Sequence, residues 1–515
     1  MQQYHSLSKK QILGGLGIYF IIRLFSYFYS PSTPLYAANP VNWLISAGIL
    51  AATVYFLLKK DIRGWLIIAA EIILGGAGSL LEIKGVSLRT CLLIISIIIF
   101  VIQKIKDKEY LIIIKQNKYV IYLLSFIMAA VIISAVRGYF LGHNLKFILA
   151  DAIPYLFFLY YFPLKQLLSS EKFRQTAFSM IIAAIIGNFI FIYFTLAGFS
   201  SEIFVLQDSY YHWFRDVAGG KITDYGTGFF RILLNEQLLL IPIFLWLFGK
   251  IVSSPPLQGG VGGGLSRLRE SRIPLAAGPS TATLNASATP SSLPLGKGEM
   301  TIVAITAVLL LGILTINITR IYLVALAIGI LFLFSVKNWK RWLTYSAAAF
   351  IFFITVFSLT HLAATKGKSL GWEYLGLRLQ SIAAPQTEDS SLSRLLLLPK
   401  IWEKIKLNPL LGNGLGDTIT VYSPVFKINI TTPHFDWGYL EIWDEMGIIG
   451  LMAWIIFIIY LLSSIIKSNK IFLAPAVALL VINITSPALF HALGIVLIAY
   501  FFSTGKATPP PPIPA

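Results

Sequence analysis

The chain alternates between long apolar runs and short polar intervals along nearly its whole length. Many of the runs reach about 17 residues or more, enough to cross a bilayer core of roughly 30 Å as a helix. Backbone amides have no hydrogen-bond partners in lipid, so such runs must be helical. The pattern predicts an all-α, polytopic helical membrane protein with about 12–14 transmembrane helices.

Fourteen runs qualify as candidate spans. They are residues 11–30, 42–58, 64–82, 88–104, 119–137, 147–164, 174–198, 228–249, 301–317, 319–336, 342–360, 437–465, 471–486 and 489–503.

Lysines and arginines fall in every even-numbered connection between these spans, whereas several odd-numbered connections carry almost none. The positive-inside rule then predicts cytoplasmic N- and C-termini and an outside location for the odd-numbered connections. The net charge of +18 is explained by this topology signal, so no nucleic-acid partner is expected. Only 12% of residues are charged, which excludes an ordinary soluble domain.

The composition changes abruptly in two places. Residues 253–299 are rich in Gly, Pro, Ser and Thr and predict a disordered cytoplasmic insert, and residues 504–515 predict a disordered tail. The remaining segments are predicted as transmembrane helices at 1–252 and 466–503, with a separate unit at 300–465 between them. That unit contains the one large outside loop, residues 360–436.

Three arginines are predicted to lie on the outer side, namely Arg231, Arg320 and Arg394. A guanidinium is a planar, permanently charged donor that suits phosphate, so several of them in one pocket would suit a diphosphate. For a fourth, Arg137 at the end of the fifth span, an interfacial role is favoured.

The outer loop ends in PHFDWGYLEIWDEMG, which gathers His434, Asp436, Glu441 and Glu445. A histidine near neutral pKa can take a proton from a hydroxyl nucleophile, and Asp436 could do the same or cap the following helix.

Three glycines precede this stretch, at Gly412, Gly414 and Gly416. A tight turn that needs positive φ is the favoured interpretation, and a nest of amides for anionic oxygens is the alternative. No metal-binding or nucleotide-binding motif is present, so neither a metal nor a cofactor is expected.

Three acids lie within predicted spans, at Glu71, Asp151 and Glu236. Such groups could serve a proton path, but packing against neighbouring polar groups is the favoured interpretation.

Several of these segments resemble the O-antigen ligase/polymerase family of bacterial envelope glycosyltransferases. Arg231 with Asn235 looks like an arginine–asparagine segment that opens a middle span. Arg320, preceded by Thr319, is similar to a Ser-Arg turn. The stretch from Arg394 through NPLLGNGLGD to GYLEIWDEMGIIGL looks like the signature domain, which makes 300–465 an O-antigen ligase-related domain.

One departure concerns the base. The family pattern places a His-Asn pair nine residues before the glutamate that matches Glu445. In this chain that position is Asp436, followed by Trp437, and His434 lies two residues upstream. The resemblance therefore leaves both His434 and Asp436 as candidates.

The resemblance implies a metal-independent glycosyltransferase in the bacterial inner membrane, acting at its outer face. The donor would be an undecaprenyl-diphosphate-linked glycan, and the acceptor a growing glycan or lipid A core. Arg231, Arg320 and Arg394 would bind the diphosphate, supported by Asn235, Glu445 and the three glycines. Membrane lipids and envelope polysaccharide assembly proteins are the other implied partners.

Two other functions stay open. One is a transporter of the same broad family, for example of inorganic carbon. The other is a non-catalytic component of polysaccharide assembly. No paired broken helices in two repeated halves are evident, and the outside loop favours the enzyme.

Overall fold

The computed structural model describes residues 9–29, 40–75, 78, 80–83, 86–253, 297–384, 389–423, 427–468 and 470–503. The predicted insert at 253–299 and the predicted tail at 504–515 lie almost entirely outside these residues. The described residues are mostly helical, and ten of their helices are long and apolar enough to cross a membrane. Three shorter apolar helices accompany them. The predicted class, an all-α polytopic membrane protein, is confirmed.

The helices before the insert are α1 (Lys9–Tyr29), α2 (Pro40–Leu58), α3 (Ile62–Leu74), α4 (Leu88–Lys106), α5 (Tyr110–Gln116), α6 (Lys118–Phe140), α7 (Leu145–Leu156), α8 (Tyr161–Leu167), α9 (Glu171–Ser200), α10 (Ser209–Asp216) and α11 (Leu240–Ser253). Those after it are α12 (Lys297–Asn317), α13 (Arg320–Phe332), α14 (Trp339–Ala364), α15 (Trp372–Ala383), α16 (Asp389–Leu407), α17 (Gly438–Ser468), α18 (Leu473–Ile482) and α19 (Ala492–Ser503).

Among the described residues, six short strands form three antiparallel pairs in the connections between helices. They are β1 (Glu82–Ile83) with β2 (Val86–Ser87), β3 (Gly220–Asp224) with β4 (Phe230–Leu234), and β5 (Ile419–Ser423) with β6 (Ile428–Thr432). The second and third hairpins frame the candidate site described below.

Two predicted spans have different bounds in the structure. The span predicted at 64–82 ends at Leu74, because Gly75 caps α3. The span predicted at 228–249 starts late, because residues 230–234 pair with β3 instead of forming helix. Gly226 and Gly228, both at positive φ, form the intervening turn. Arg231 therefore lies in a strand and does not open a helix.

Connections that were predicted to share a side of the membrane do contact one another. On one face, the His143 Nδ1 lies 2.9 Å from the carbonyl oxygen of Leu415, and Arg378 bonds to the hydroxyl of Tyr225. We call this the site face; among the described residues it carries 141–144, 201–234, 318–319, 365–384, 389–423 and 427–437. On the opposite face, which carries residues 59–61 and 107–117, Lys60 pairs with Asp107 at 2.7 Å.

Two of the three intramembrane acids have structural partners, as predicted. Glu71 pairs with Arg89 at 2.9 Å, and both side chains are buried. Glu236 pairs with the buried Arg23, whose guanidinium also lies over the rings of Tyr19 and Phe191. Removing one partner of such a pair would leave a buried charge uncompensated, so each pair fastens its helices together. Asp151 behaves differently and belongs to the site.

Candidate functional site

Helix α17 is broken near its start, and the break creates the site. Gly447 has φ 67° and ψ −176°, outside the helical region, so residues 438–446 form a separate first segment. The carbonyl groups of Asp444 and Glu445 consequently lose their helical donors. The amide of Ile448 turns aside to donate to the Pro409 carbonyl at 2.9 Å. The broken helix end is then free to bind another part of the chain.

The glycine-rich loop 412–417 fills that break. The amide of Asn413 donates to the Asp444 carbonyl at 2.6 Å, and the amide of Gly414 donates to the Glu445 carbonyl at 3.0 Å. A side chain at Gly412 would meet the Glu445 carbonyl group at 2.5 Å, and one at Gly414 would meet the backbone of Gly138 at 2.4 Å. The glycines are required by this close approach.

The loop amides are therefore used within the protein. Gly412 donates to Asn408, and Leu415 donates to the Ser134 carbonyl at 3.0 Å. The tight-turn interpretation agrees with the structure. The alternative, an amide nest for an anion, does not, because the amides of residues 412–416 all have partners in the chain.

Gly416 links the loop to two buried acids. Its amide lies 3.0 Å from Oδ2 of Asp151 and 3.3 Å from Oε1 of Glu445. Asp151 comes from α7 and is 1% exposed, while Glu445 comes from the first segment of α17 and is fully buried. The other oxygen of each, Oδ1 of Asp151 and Oε2 of Glu445, has no hydrogen-bond partner among the described residues. The loop thus gathers carboxylates that the sequence separates widely.

His434 lies above these acids. Its Nδ1 is 3.4 Å from Oε1 of Glu441 and 3.9 Å from Oδ1 of Asp151. Glu441 is fully buried, and its Oε2 accepts the Phe435 amide at 3.2 Å. The side chain of His434 is 49% exposed, so the imidazole joins a buried acidic floor to the outside.

The carboxylates determine the ionisation of this histidine. The hydrogen bond to Glu441 raises the pKa of His434, and the negative charges of Glu441, Asp151 and Asp436 act in the same direction. Burial lowers this pKa, but by less. The imidazole therefore holds a proton more strongly than an ordinary histidine does.

The same three residues could hold a cation. One ligand atom each from Asp151, His434 and Glu441 lies within 4.8 Å of the others. Imidazole and carboxylate groups together suit a transition metal such as zinc or manganese. The expectation that no metal is needed stays a prediction, and a chelation experiment below tests it.

Asp436, the other candidate base, faces a cation instead. Its carboxylate lies 3.4 Å from Nε of Arg394 in α16. The next residue, Trp437, donates its indole N–H to the Arg394 carbonyl at 3.1 Å. Asp436 is therefore paired with a cation, whereas His434 contacts the acidic floor.

Arg231 is fixed from the other side by backbone and hydroxyl groups. It is 9% exposed, and its Nε donates to the Asn317 carbonyl at 2.7 Å. Its Nη2 donates to the Thr319 hydroxyl at 2.8 Å. The β4 strand thus places Arg231 against the tight turn between α12 and α13. Arg320 is the first residue after this turn.

Lys221 brings these cations into one group. It is exposed on β3, and the pairing of Thr223 with Arg231 places Lys221 and Arg231 on the same face of the hairpin. Although Lys221 is exposed, the surrounding protein partly desolvates its ammonium group and lowers its pKa, and the positive charges of Arg231 and Arg394 act in the same direction. Asp436 offsets part of this effect. Both arginines are therefore near enough to act on Lys221, which joins them in one cationic group.

Arg320 contacts the outer helices instead. Its Nη1 donates to the hydroxyl and the carbonyl of Ser381 in α15, at 2.9 and 3.2 Å. One turn earlier, Arg378 is 3% exposed and lies over the rings of Tyr225 and Tyr374. These two arginines fasten α15 to the rest of the site face.

The predicted residues therefore divide into three groups. His434, Asp436, Arg231 and Arg394 come together, Arg320 lies beside them, and the glycines and Glu445 support the floor. Asn235 is exposed at the start of a short 3-10 turn, whereas the neighbouring Gln237 is buried and bonds to Asn317.

The sequence interpretation missed Lys221 and Arg378 and assigned Asp151 to packing. Arg137 is also not merely interfacial, because its Nη2 donates to Asn408 at 2.9 Å. No sequence motif could have identified these four residues, because each contacts partners that lie far away along the chain.

This architecture defines a multi-pass membrane protein with a charged site at one end of its helix bundle. Residues 305–455 match the family model described as O-Antigen ligase, which confirms the predicted family resemblance for that segment. A search of curated proteins finds no match, and neither does a search of solved structures.

The loop geometry predicts a graded response to alanine. Gly416 has φ +76°, and a Cβ there would lie 2.7 Å from the Ile148 amide nitrogen. Gly142 has φ +82° with nothing within 4 Å of its Cβ position, so it is a matched control for the backbone cost alone. Both substitutions should carry a conformational cost of about 1 kcal/mol, and Gly416→Ala should add a steric cost. Thermal unfolding in detergent would measure the difference, and equal losses for both variants would contradict this packing.

Proposed function

We propose that the chain is a metal-independent membrane glycosyltransferase. It transfers or polymerises an undecaprenyl-diphosphate-linked glycan at the outer face of the bacterial inner membrane. The observation that carries the proposal is the approach of two oppositely charged groups on the site face. His434 contacts buried carboxylates, and Asp436, two residues further along the chain, lies 3.4 Å from Arg394. Arg394, Arg231 and Asp436 all act electrostatically on Lys221, so Asp436 links the two groups.

The cationic group suits the donor. A diphosphate carries charge that grows on its bridging oxygen as the bond to the sugar breaks, and fixed cations stabilise that charge. Arg231 is already held by the Asn317 carbonyl and the Thr319 hydroxyl, so little reorganisation is needed when the donor arrives. Arg394 and Lys221 complete the positive side of the pocket.

His434 suits the acceptor. With its proton on Nδ1, the imidazole would donate a hydrogen bond to Glu441. Nε2 would then be unprotonated and could accept the proton of a sugar hydroxyl. The hydroxyl oxygen bonds to the anomeric carbon, the bond from that carbon to the lipid diphosphate breaks, and its electron pair stays on the diphosphate. This arrangement favours His434 over Asp436 as the base, because Asp436 is paired with Arg394.

The buried acids support this role. Glu441 orients the imidazole and stabilises its positive charge after proton transfer, as a carboxylate does in a catalytic triad. Asp151 adds a second negative charge at 3.9 Å from Nδ1. The transporter and the non-catalytic alternatives have no comparable observation in their favour.

The direct test is genetic complementation. A deletion strain would receive the wild-type gene or variants carrying His434→Ala, Arg394→Ala or His212→Ala, and surface polysaccharide would be resolved by gel electrophoresis. Loss of a general base costs about 100-fold or more, so His434→Ala should abolish long chains. Arg394→Ala should reduce them. His212 is a control of similar exposure, 50%, and His212→Ala should restore the full pattern.

Each gel pattern has a distinct meaning. Loss of long chains from lipid A alone indicates ligation, and collapse to single repeat units indicates polymerisation. Full restoration by all variants would favour the non-catalytic component. Unchanged glycan in the deletion strain with lost solute uptake would favour the transporter.

The pH dependence of the purified enzyme should report His434. A general base acts only when deprotonated, so the rate should fall as pH drops through a pKa above 6.5, the ordinary value for histidine. Glu441→Gln removes the largest cause of the raised pKa, and the acidic limb should move to lower pH. Glu403→Gln, at an exposed glutamate, should leave the limb in place. A limb that does not move in Glu441→Gln would assign Glu441 a purely structural role.

Chelation tests the metal-independent part of the proposal. The positive charge near the leaving group is supplied by Lys221, Arg231 and Arg394, so EDTA should leave the transfer rate unchanged. A loss of activity that manganese or zinc restores would assign a cation to Asp151, His434 and Glu441 and would overturn this part.

A further inference from the structure

The opposite face carries a cavity of about 240 Å³ that the proposed reaction does not use. It lies where the junction of α5 and α6 meets α8 and the ends of α17 and α19. Three lysines line it, Lys115, Lys118 and Lys165, and no acidic residue is among the described residues that do. The cavity is therefore strongly cationic and large enough for a group bigger than a single water.

A buried asparagine gives this cavity a fixed shape. Asn117 is 6% exposed, and its Oδ1 accepts from Nζ of Lys165 at 2.6 Å and from the Tyr161 hydroxyl at 3.1 Å. Its Nδ2 donates to the Ile113 carbonyl at 2.8 Å. These bonds tie the α5–α6 corner to α8, so Lys165 is held in place before any ligand binds.

The surroundings indicate a lipid rather than a soluble anion. Helix α5 has no buried residue, and Leu111, Ile112 and Ile114 are each about half exposed, at 60%, 48% and 50%. A short helix with such a surface is stable only at the boundary of the bilayer, with its apolar side chains in lipid. Val120, Tyr460 and Phe502 add an apolar part to the wall of the cavity.

We propose that this cavity binds the phosphate of an anionic phospholipid headgroup. Among the described residues, neither Lys115 nor Lys118 forms an ion pair with a carboxylate, and the Lys118 ammonium lies 5.7 Å from the centre of the Tyr122 ring. Both would contact the phosphate together with Lys165. The acyl chains would extend along the apolar wall into the bilayer. Basic pockets between transmembrane helices on the cytoplasmic side are typical sites for such headgroups.

Native mass spectrometry of the full chain in nanodiscs tests the proposal. The discs would contain phosphatidylcholine with a minor fraction of phosphatidylglycerol, and the measured quantity is the phosphatidylglycerol retained after release. Lys115→Gln/Lys118→Gln keeps the Lys165–Asn117 bond and should reduce retention by about fivefold for each lysine removed. Lys337→Gln/Lys340→Gln removes the same charge from the same face and should retain as much as wild type.

Two results would overturn the proposal. One is equal retention by the two double variants. The other is displacement of the phosphatidylglycerol by added inorganic phosphate, at a concentration that does not disturb the bulk lipid of the disc. That result would identify a phosphate site instead. Because neither readout involves glycan transfer, the outcome is independent of the proposed reaction.

Discussion

The exchange of backbone hydrogen bonds between the broken helix α17 and the glycine-rich loop is the interaction on which the site depends. Two carbonyl groups at the break lose their helical donors, and the amides of Asn413 and Gly414 replace them. An unpaired buried carbonyl would cost free energy comparable to a lost hydrogen bond, so break and loop stabilise each other. This contact fixes the position of the loop, so the amide of Gly416, two residues after Gly414, reaches Asp151 and Glu445.

The site is organised by charge. Acids from α7 and α17 form a floor that is shielded from solvent, and cations from the β3–β4 hairpin and α16 lie at the outer side. Asp436 and Arg394 mark the boundary between the two regions. Electrostatic interactions are stronger where water is excluded. In the proposed reaction, this separation would let the imidazole and the guanidinium groups act on different atoms, while the buried acids and the cations do not neutralise each other.

Sequence patterns predicted the helices well, because a span is a local property of some twenty residues. The all-α class, the two faces and the group of His434, Asp436, Arg231 and Arg394 all follow from such patterns and from the family resemblance. The errors arose where distant pairing decided the local structure. Residues 230–234 are apolar enough for a transmembrane helix, but they pair with β3. Asp151 was assigned to packing because its neighbours along the chain are typical of a packed span.

The choice between His434 and Asp436 shows the same limit. The spacing to Glu445 pointed to Asp436, since spacing counts positions along the chain. In the structure, Asp436 has φ +58°, in the left-handed region that aspartate tolerates, and this turn directs its carboxylate towards Arg394. The imidazole two residues earlier is the group that reaches Glu441. A single unusual backbone conformation therefore separates the two interpretations.

The position of the long insert has a consequence for how this protein is divided. Residues before it supply Asp151, Lys221 and Arg231, and residues after it supply His434, Glu441 and Arg394. The segment that matches the O-antigen ligase model, 305–455, therefore contains only part of the charged groups at the site. If these groups act together as proposed, the functional unit is larger than the segment that matches the family. Two fragments cut within the insert would each hold only part of the site until they reassociate through the contacts of the loop with α6 and α7.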